Sequence, residues 1–413
     1  MENPPLDAGK PVSSSNGQYH EVILQAIDNR DTDLQQINRV IFNNPELGFE
    51  EFQAHDNLVT LLRSLGFEVT PHAYGVETSF FTEYGSGGRV VIFNAEYDAL
   101  PGIGHASSFL GVVAALKASG APGRVRLLGT PAEEGGGGKQ ILVDAGAFKD
   151  VDACFMSHPA PCQMVSDATL TGEAYGTTLA MAKFTASFSG KPAHAGAAPY
   201  QGVNALDALT LAYNAVSMLR QQTKDHDRIH FIVEKGGDAP NVIPSKASSV
   251  NQVRSATMKE LRELKARVKK CFEGSAIATG CMVEFQDILE YADLRPNKVL
   301  CGAYASEMAQ LGWPVECDLT KTTPGSGSTD QGNVSYACPS FHSMFSIDSQ
   351  PGAFNHTAGF TVAAGTESAY RKSIASAKGM ALAAWKVLVD DQFAKRVQED
   401  FEADAGIRKA AAV

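Results

Sequence analysis

Short apolar runs alternate with amphipathic helical stretches along the first part of the chain. Apolar residues at positions 34, 37 and 41 recur at helical spacing and predict a helix that ends before Pro45. Strand-like runs follow at 89–93, 125–128 and 153–156, separated by further helical stretches. Apolar strands that alternate with helices indicate a mostly parallel sheet with helices on both faces. The pattern therefore predicts an α/β domain.

The pattern changes between about residues 180 and 292. Strand-like runs lie at 180–188, 229–233, 248–253 and 282–289, and helices are predicted over 203–219 and after residue 257. Thr257 and Glu260 form a capping box at the start of the second of these helices. The order β-α-β-β-α-β predicts a compact ferredoxin-like α+β insert.

Length and pattern together predict the domain organisation. A chain of 413 residues is too long for one ordinary core, so two domains are expected. We predict a disordered leader over 1–17 and an α/β domain formed by 18–179 and 293–413. The insert over 180–292, hereafter the lid, is the second domain.

Composition excludes several classes of partner. The chain is 44% hydrophobic and 20% charged, and its formal net charge of −11 argues against a nucleic-acid partner. No apolar run is long enough to span a bilayer, and the polar N-terminus lacks the apolar core of a signal peptide. The seven cysteines are odd in number, widely spread and without a CxxC pair, which fits a reducing compartment. We therefore expect a cytoplasmic protein without nucleic-acid or membrane partners.

Residues with metal-binding chemistry follow the predicted strands. An acidic segment at 96–106 follows the first strand, Glu133 and Glu134 follow the second, His158 follows the third, and His356 follows a late apolar run. Ligands bind beyond the carboxyl ends of strands in open α/β sheets. A lone exposed histidine or glutamate pair is usually only solvated. Four such groups at strand ends instead favour a site for a first-row metal ion.

Two other kinds of site do not fit the sequence. The glycine run before Lys139 lacks the Walker pattern, because Glu133 stands where that pattern needs glycine and Gln140 where it needs serine or threonine. No G-x-S-x-G nucleophile elbow is present. We expect the glycines to let the backbone pass close to a ligand or metal.

Several motifs, in one order along the chain, resemble a known enzyme family. They are NPELGFEEFQAH, AEYDALPGIGHA, GTPAEEGGGGK, GKPAHAGAAPYQGVNALDA, GGDAPNVIP and GSTDQGNVSY. Together they are similar to the zinc-dependent aminoacylase and carboxypeptidase family of amidohydrolase metallopeptidases, in the branch with Xaa-Arg dipeptidase and aminobenzoyl-glutamate hydrolase. The resemblance covers about residues 34–390.

The resemblance implies roles for the residues at the strand ends. Glu133 is the expected general base that activates a water, and Asp98 is a carboxylate that orients a metal ligand. The expected ligands are Glu134, His158 and His356. The metal is expected to be zinc, or manganese or cobalt, as one or two ions. The implied reaction is hydrolysis of the amide bond of an N-acyl or N-aminoacyl amino acid, so the expected substrate is a small amide or dipeptide.

The resemblance also implies roles for residues in and near the lid. His194 is expected to stabilise the oxyanion of the tetrahedral intermediate, from the partner subunit of a homodimer that forms through the lid. Asn241 and Arg254 are expected to bind the substrate carboxylate. The pocket is expected to be lined by Ser328, Thr329 and Asp330.

One departure from the family pattern affects the metal site. Relatives in this branch have a Cys-Gly-His-Asn segment after Ala106, and its cysteine and histidine bind metal, but here Ser107 follows directly. His105 or Asp98 is a candidate to fill the gap. Three hypotheses remain open: an amidohydrolase with one metal or a rebuilt pair, a metal-independent acid–base enzyme in the same pocket, and a catalytically inactive binding or regulatory homologue. The presence of Glu133, His194 and the substrate-binding residues weighs against the third.

Overall fold

The computed structural model describes residues 15–98, 104–325 and 327–411, which form two β-sheets with flanking helices. The helices are α1 Ser15–Asp28, α2 Asp31–Asn43, α3 Phe52–Ser64, α4 Gly104–Ser119, α5 Gly138–Asp144, α6 Ala205–Leu219, α7 Met258–Thr279, α8 Lys298–Gln310, α9 Gln331–Ala337, α10 Ala358–Ala364, α11 Glu367–Val389, α12 Asp391–Ala403 and α13 Ala405–Ala411. The strands are β1 Thr70–Pro71, β2 Phe80–Ser86, β3 Val90–Ala95, β4 Gly123–Gly129, β5 Ala153–Pro161, β6 Gly172–Glu173, β7 Ala180–Ser189, β8 Arg228–Lys235, β9 Lys246–Ser255, β10 Met282–Tyr291 and β11 Ser340–Ile347.

The larger sheet has seven strands in the order β1-β2-β4-β3-β5-β11-β6. Its centre, β4-β3-β5-β11, is parallel, while β2 and β6 pair antiparallel with it. Every residue of β3 is buried, as expected for a strand covered on both faces. Because the central strands are parallel, their carboxyl ends meet at one edge of the sheet, with Ala95 of β3 opposite Gly129 of β4. The predicted α/β fold is confirmed.

The smaller sheet has four antiparallel strands in the order β10-β7-β9-β8. Helices α6 and α7 pack on it, and Phe188, Leu209, Leu261 and Phe272 belong to their common core. Thr257 caps α7 by accepting a hydrogen bond from the Glu260 backbone N–H, as the capping box predicts. The strand and helix order confirms the ferredoxin-like insert. Its strands begin and end inside the predicted 180–292 segment, whose boundaries stay a prediction.

Helix α1 was not predicted from the sequence. It begins at Ser15, where a disordered leader was expected; residues 1–14 of that leader lie outside the described residues. Ile23 and Ile27 of this helix are fully buried. They approach Gly111 of α4 so closely that an added Cβ there would lie 3.0 Å from either side chain. Burial against α4 therefore stabilises a helix whose own sequence signal is weak.

Two expectations from composition can be compared with the structure. Cys154, Cys162, Cys271, Cys281, Cys301, Cys317 and Cys338 are all free thiols. Within residues 15–98, 104–325 and 327–411, no helix has the length and apolar character needed to cross a membrane.

We predict that Phe272→Ala destabilises the lid by about 3–5 kcal/mol, because it removes a fully buried ring from the lid core. Native-state hydrogen exchange of amides in α7 and in strands β7–β10 measures this loss. Ile277→Ala is the matched control, since Ile277 lies on the same helix and is 83% exposed; its effect should stay within about 0.5 kcal/mol. Equal protection in the two variants would contradict the assignment of Phe272 to the lid core.

Candidate metal centre

The parallel strands bring acidic and imidazole groups to one edge of the larger sheet. Glu96 and Asp98 follow the end of β3, and both are buried. Glu133 and Glu134 lie in the turn between β4 and α5. His158 was expected after its strand but lies within β5, because the strand continues to Pro161. Asp98 accepts a hydrogen bond from the Glu134 backbone N–H at 3.0 Å, which connects two of the strand ends directly.

A chain of five ionisable side chains crosses this edge. The Asp330 carboxylate contacts the Lys139 ammonium at 2.7 Å, and the same ammonium is ion-paired with Glu96. The other Glu96 oxygen lies 2.5 Å from Nε2 of His158. Nδ1 of His158 is hydrogen-bonded to Nε2 of His342 at 2.7 Å. Lys139 is fully buried and would be costly there without its two carboxylate partners.

Three of these strand-end groups could share one metal ion. Glu96, Glu133 and His158 each offer a ligand atom, and these atoms all lie within 4.8 Å of one another. Glu134 faces His356 across 3.6 Å, as a second and more exposed acid–imidazole pair. Carboxylate oxygens and imidazole nitrogens are the donor set of zinc and other first-row metal ions.

The electrostatics of the cluster show an excess of negative charge. Burial, and then the neighbouring Glu96, raise the pKa of Glu133 to about 8 and that of Asp98 to about 7. Burial would also raise the pKa of Glu96, but His158 and Lys139 outweigh it and hold that pKa well below its usual range. Burial would lower the pKa of His158, but Glu96 raises it to about 9. A further cation would oppose both the burial and the repulsion that raise the pKa of Glu133 and Asp98, so these residues fit a bound metal ion.

The backbone that carries the two glutamates is fixed from the side of the lid. The Tyr291 hydroxyl donates to the Glu133 carbonyl at 2.7 Å and accepts from the Gly137 N–H at 3.0 Å. Gly138 continues this turn: a Cβ there would lie 1.9 Å from the Pro131 carbonyl oxygen. Gly138 thus permits close approach to the chain itself, and the expected approach of the glycine run to a ligand or metal stays a prediction.

Sequence reasoning missed four residues of this site. Glu96 and Lys139 lie inside quoted motifs, but no local pattern connects residues that are 43 positions apart. His342 lies in the apolar run of β11, and Tyr291 ends β10; neither position carries a sequence signal for a functional site.

Two of the predicted lid residues lie apart from the cluster. His194 and Asn241 are exposed, and no described hydrogen bond or ion pair connects either to the strand-end cluster. Nδ1 of His194 accepts hydrogen bonds from the backbone N–H groups of Gly196 and Ala197, at 3.2 and 3.1 Å. In neutral His194 the ring proton therefore lies on Nε2, which remains a donor.

The other predicted binding residues lie on strand β9 and in the segment directly before helix α9. Arg254 of β9 donates to the Ser328 hydroxyl at 3.3 Å. Thr329 is buried. Asp330 is fully buried, and its ion pair with Lys139 makes it part of the chain of five ionisable side chains. Helix α4 begins beside His105, but the side chain of His105 lies outside the described residues.

Comparison with known proteins identifies the family. Residues 178–279 match the peptidase dimerisation domain of the M20 peptidases. Xaa-Arg dipeptidase of Mus musculus is 38% identical over 92% of this chain and 91% of its own length. The Homo sapiens protein of that name is 37% identical over 92% and 91%. One of the p-aminobenzoyl-glutamate hydrolase proteins of Escherichia coli is 31% identical over 66% and 61%.

Solved structures agree on the fold. An aminobenzoyl-glutamate utilization protein from Klebsiella pneumoniae superposes with a TM-score of 0.71, at 19% identity, over 89% of this chain and 98% of that one. A dinuclear metal-binding M20 peptidase from Bacillus subtilis gives 0.64, at 20% identity, over 87% and 99%. Fold and site thus define an α/β hydrolytic enzyme with an inserted dimerisation domain. The chain belongs to the M20 peptidase family, which confirms the predicted family branch.

We predict that Lys139→Met destabilises the protein by about 3–5 kcal/mol in the presence of a chelator, since two buried carboxylates lose their cation. Urea unfolding followed by tryptophan fluorescence measures the loss, because Trp313 and Trp385 both lie in the part of the chain that packs around the larger sheet. Lys149→Met is the control, as Lys149 is exposed, and it should change stability by less than about 0.5 kcal/mol. An unchanged midpoint for Lys139→Met would show that the ion pairs do not stabilise the fold.

Proposed function

We propose that this protein hydrolyses the amide bond of an N-acyl or N-aminoacyl amino acid with the help of a bound metal ion. The observation that carries the proposal is the cluster at the sheet edge in which Glu96 and His158 offer ligand atoms to an ion and the Glu133 carboxylate, the proposed proton carrier, lies within 4.8 Å of both. The relatives named dipeptidase and p-aminobenzoyl-glutamate hydrolase act on amides of amino acids, which supports this substrate class.

Four side chains are proposed to hold the ion: Glu134, His158 and His356, with Glu96 in place of the absent Cys-Gly-His segment. A Glu96 oxygen lies 2.5 Å from Nε2 of His158, so an ion could bind both groups in place of the proton that they share, and this proximity supports the fourth assignment. Zinc, manganese and cobalt all suit this donor set. When bound, such an ion supplies Lewis acidity that polarises a substrate carbonyl and makes water a better nucleophile.

Glu133 is proposed to carry the proton during hydrolysis. It is 9% exposed, and burial, followed by the neighbouring Glu96, raises its pKa to about 8 when no ion is bound, so this carboxyl can take up a proton and release it again near neutral pH. Its backbone carbonyl is held by the Tyr291 hydroxyl, which keeps the carboxylate beside Glu96 and His158. Glu133 would remove a proton from the attacking water and deliver it to the leaving amine.

The lid is proposed to complete the site in a homodimer. The match to a peptidase dimerisation domain supports pairing through the lid. His194 is exposed and presents Nε2–H as a donor, and it lies apart from the cluster of its own chain. His194 of the partner subunit would stabilise the oxyanion that forms when water attacks the amide.

The substrate carboxylate is proposed to bind between the lid and the larger sheet. Arg254 and Ser328 already meet there, and a guanidinium with a hydroxyl beside it suits an anionic oxygen pair. Asn241 and Thr329 would add polar contacts. A substrate that lacks a free carboxylate should therefore bind poorly.

Replacing the two adjacent glutamates one at a time separates their proposed roles. We predict that Glu133→Gln lowers turnover of N-acyl amino acids or dipeptides about 10²–10⁴-fold and retains bound metal, because it removes only the proton carrier. Glu134→Gln should instead lose metal. Activity assays and elemental analysis of both variants test this, and each variant serves as the control for the other. Retained turnover in Glu133→Gln, or metal loss from it alone, would overturn the assignment.

Mixing two inactive dimers tests the role of the partner subunit. We predict that His194→Ala and Glu133→Gln are each inactive, and that subunit exchange between them restores turnover. The mixed dimer holds one site with both an intact Glu133 and an intact His194 of the partner subunit. Light scattering checks that each variant remains a dimer. A mixture that stays inactive after confirmed exchange would place His194 in the site of its own chain.

A further inference from the structure

Glu51 is a fully buried carboxylate at the start of α3 that the proposed mechanism does not use. It belongs to the motif NPELGFEEFQAH, whose residues have no role in the chemistry proposed above. Both of its oxygens are engaged: one accepts from the Ala132 backbone N–H at 2.8 Å, and the other accepts from the Thr78 hydroxyl at 2.8 Å. A buried carboxylate on a backbone N–H forms a charge-assisted bond, which is stronger than a neutral one.

We propose that Glu51 is a positioning residue that holds the proton carrier Glu133 in place; the inference rests on the proposed function of Glu133. Glu51 accepts a hydrogen bond from the N–H of Ala132, the residue before Glu133. Asp98 takes the N–H of Glu134, the residue after it, at 3.0 Å. Two buried carboxylates therefore accept hydrogen bonds from the backbone N–H groups on either side of Glu133 and fix the backbone there.

The backbone conformation of the turn around Glu133 explains why this turn needs support from hydrogen bonds. Ala132 has φ of 60°, a left-handed conformation that is unfavourable for a residue with a Cβ. Such a conformation persists only where surrounding contacts fix it. The bond from the Ala132 N–H to Glu51 is one such contact. The segment before Glu51 provides others, since a Cβ on Gly48 would lie 3.0 Å from the Ala132 Cβ.

Glu51 is itself held from its far side. The Thr78 hydroxyl donates to it, and the Thr78 carbonyl accepts a hydrogen bond from the hydroxyl of Tyr97. Tyr97 lies between Glu96 and Asp98 on the loop after β3. The hydrogen bonds that fix the turn around Glu133 are thereby connected to the loop that carries Glu96 and Asp98.

Glu51→Ala and Glu51→Gln test the proposal together. Alanine removes the acceptor of both hydrogen bonds. Glutamine retains an oxygen that accepts from the Ala132 N–H, and its NH₂ group can donate to the Thr78 hydroxyl, which then acts as an acceptor instead of a donor. We expect Glu51→Ala to lower kcat about 10²-fold with KM little changed, as for displacement of a catalytic group by about 1 Å. Glu51→Gln should recover most of that loss. The control is Glu50→Gln, which alters an exposed neighbour of the same charge.

A second readout does not depend on activity. Hydrogen exchange should increase in Glu51→Ala for amides of residues 131–138 and remain unchanged in the strands of the lid, because the change is local. Uniform loss of protection, or a lower melting temperature with unchanged kcat and unchanged exchange at 131–138, would show a merely structural role and overturn the proposal. Equal loss of kcat in the alanine and glutamine variants would overturn it as well. If the wild type hydrolyses no amide, the exchange result still decides the positioning of the turn, and only the proposed function fails.

Discussion

The buried Lys139 ammonium is the interaction on which the rest of the site depends. It lies between Glu96 and Asp330 and has no exposure to solvent, so it compensates two carboxylates where water cannot. Without a fixed cation at this edge of the sheet, acidic side chains from several strand ends could not be buried side by side. Burial, and then the charge of Glu96, raise the pKa of Glu133 when no ion is bound, so this carboxyl can exchange a proton near neutral pH.

The same edge also depends on backbone support. The turn between β4 and α5 contains a left-handed Ala132 and several glycines, and carboxylates that contact backbone N–H groups hold it in place. Tyr291, at the end of the last lid strand, adds a hydrogen bond to the Glu133 carbonyl. The proton carrier is therefore fixed by groups from three separate parts of the chain. This arrangement connects the lid physically to the proposed chemistry at the sheet edge.

The fold was largely predictable because its signals are local. The parallel strands contain short apolar runs. In the lid, strand-like and helical patterns follow one another in the order β-α-β-β-α-β, and a capping box marks the start of a helix. Helix α1 was missed because its stability comes from packing of Ile23 and Ile27 on α4 rather than from its own sequence. In the site, Glu133, Glu134, His158 and His356 could be proposed from the sequence. Lys139 and Glu51 could not, since their partners are brought together only by the folded chain.

The substitution of Glu96 for the absent Cys-Gly-His segment is the central claim, and the metal content of the protein tests it most directly. Elemental analysis of wild type and Glu96→Gln, both purified without chelator or added metal, gives the ions bound per chain. We expect stoichiometric zinc, manganese or cobalt in the wild type and its loss in Glu96→Gln. A wild type that binds no metal even with excess zinc, or a Glu96→Gln variant that binds it equally well, would contradict this role of Glu96.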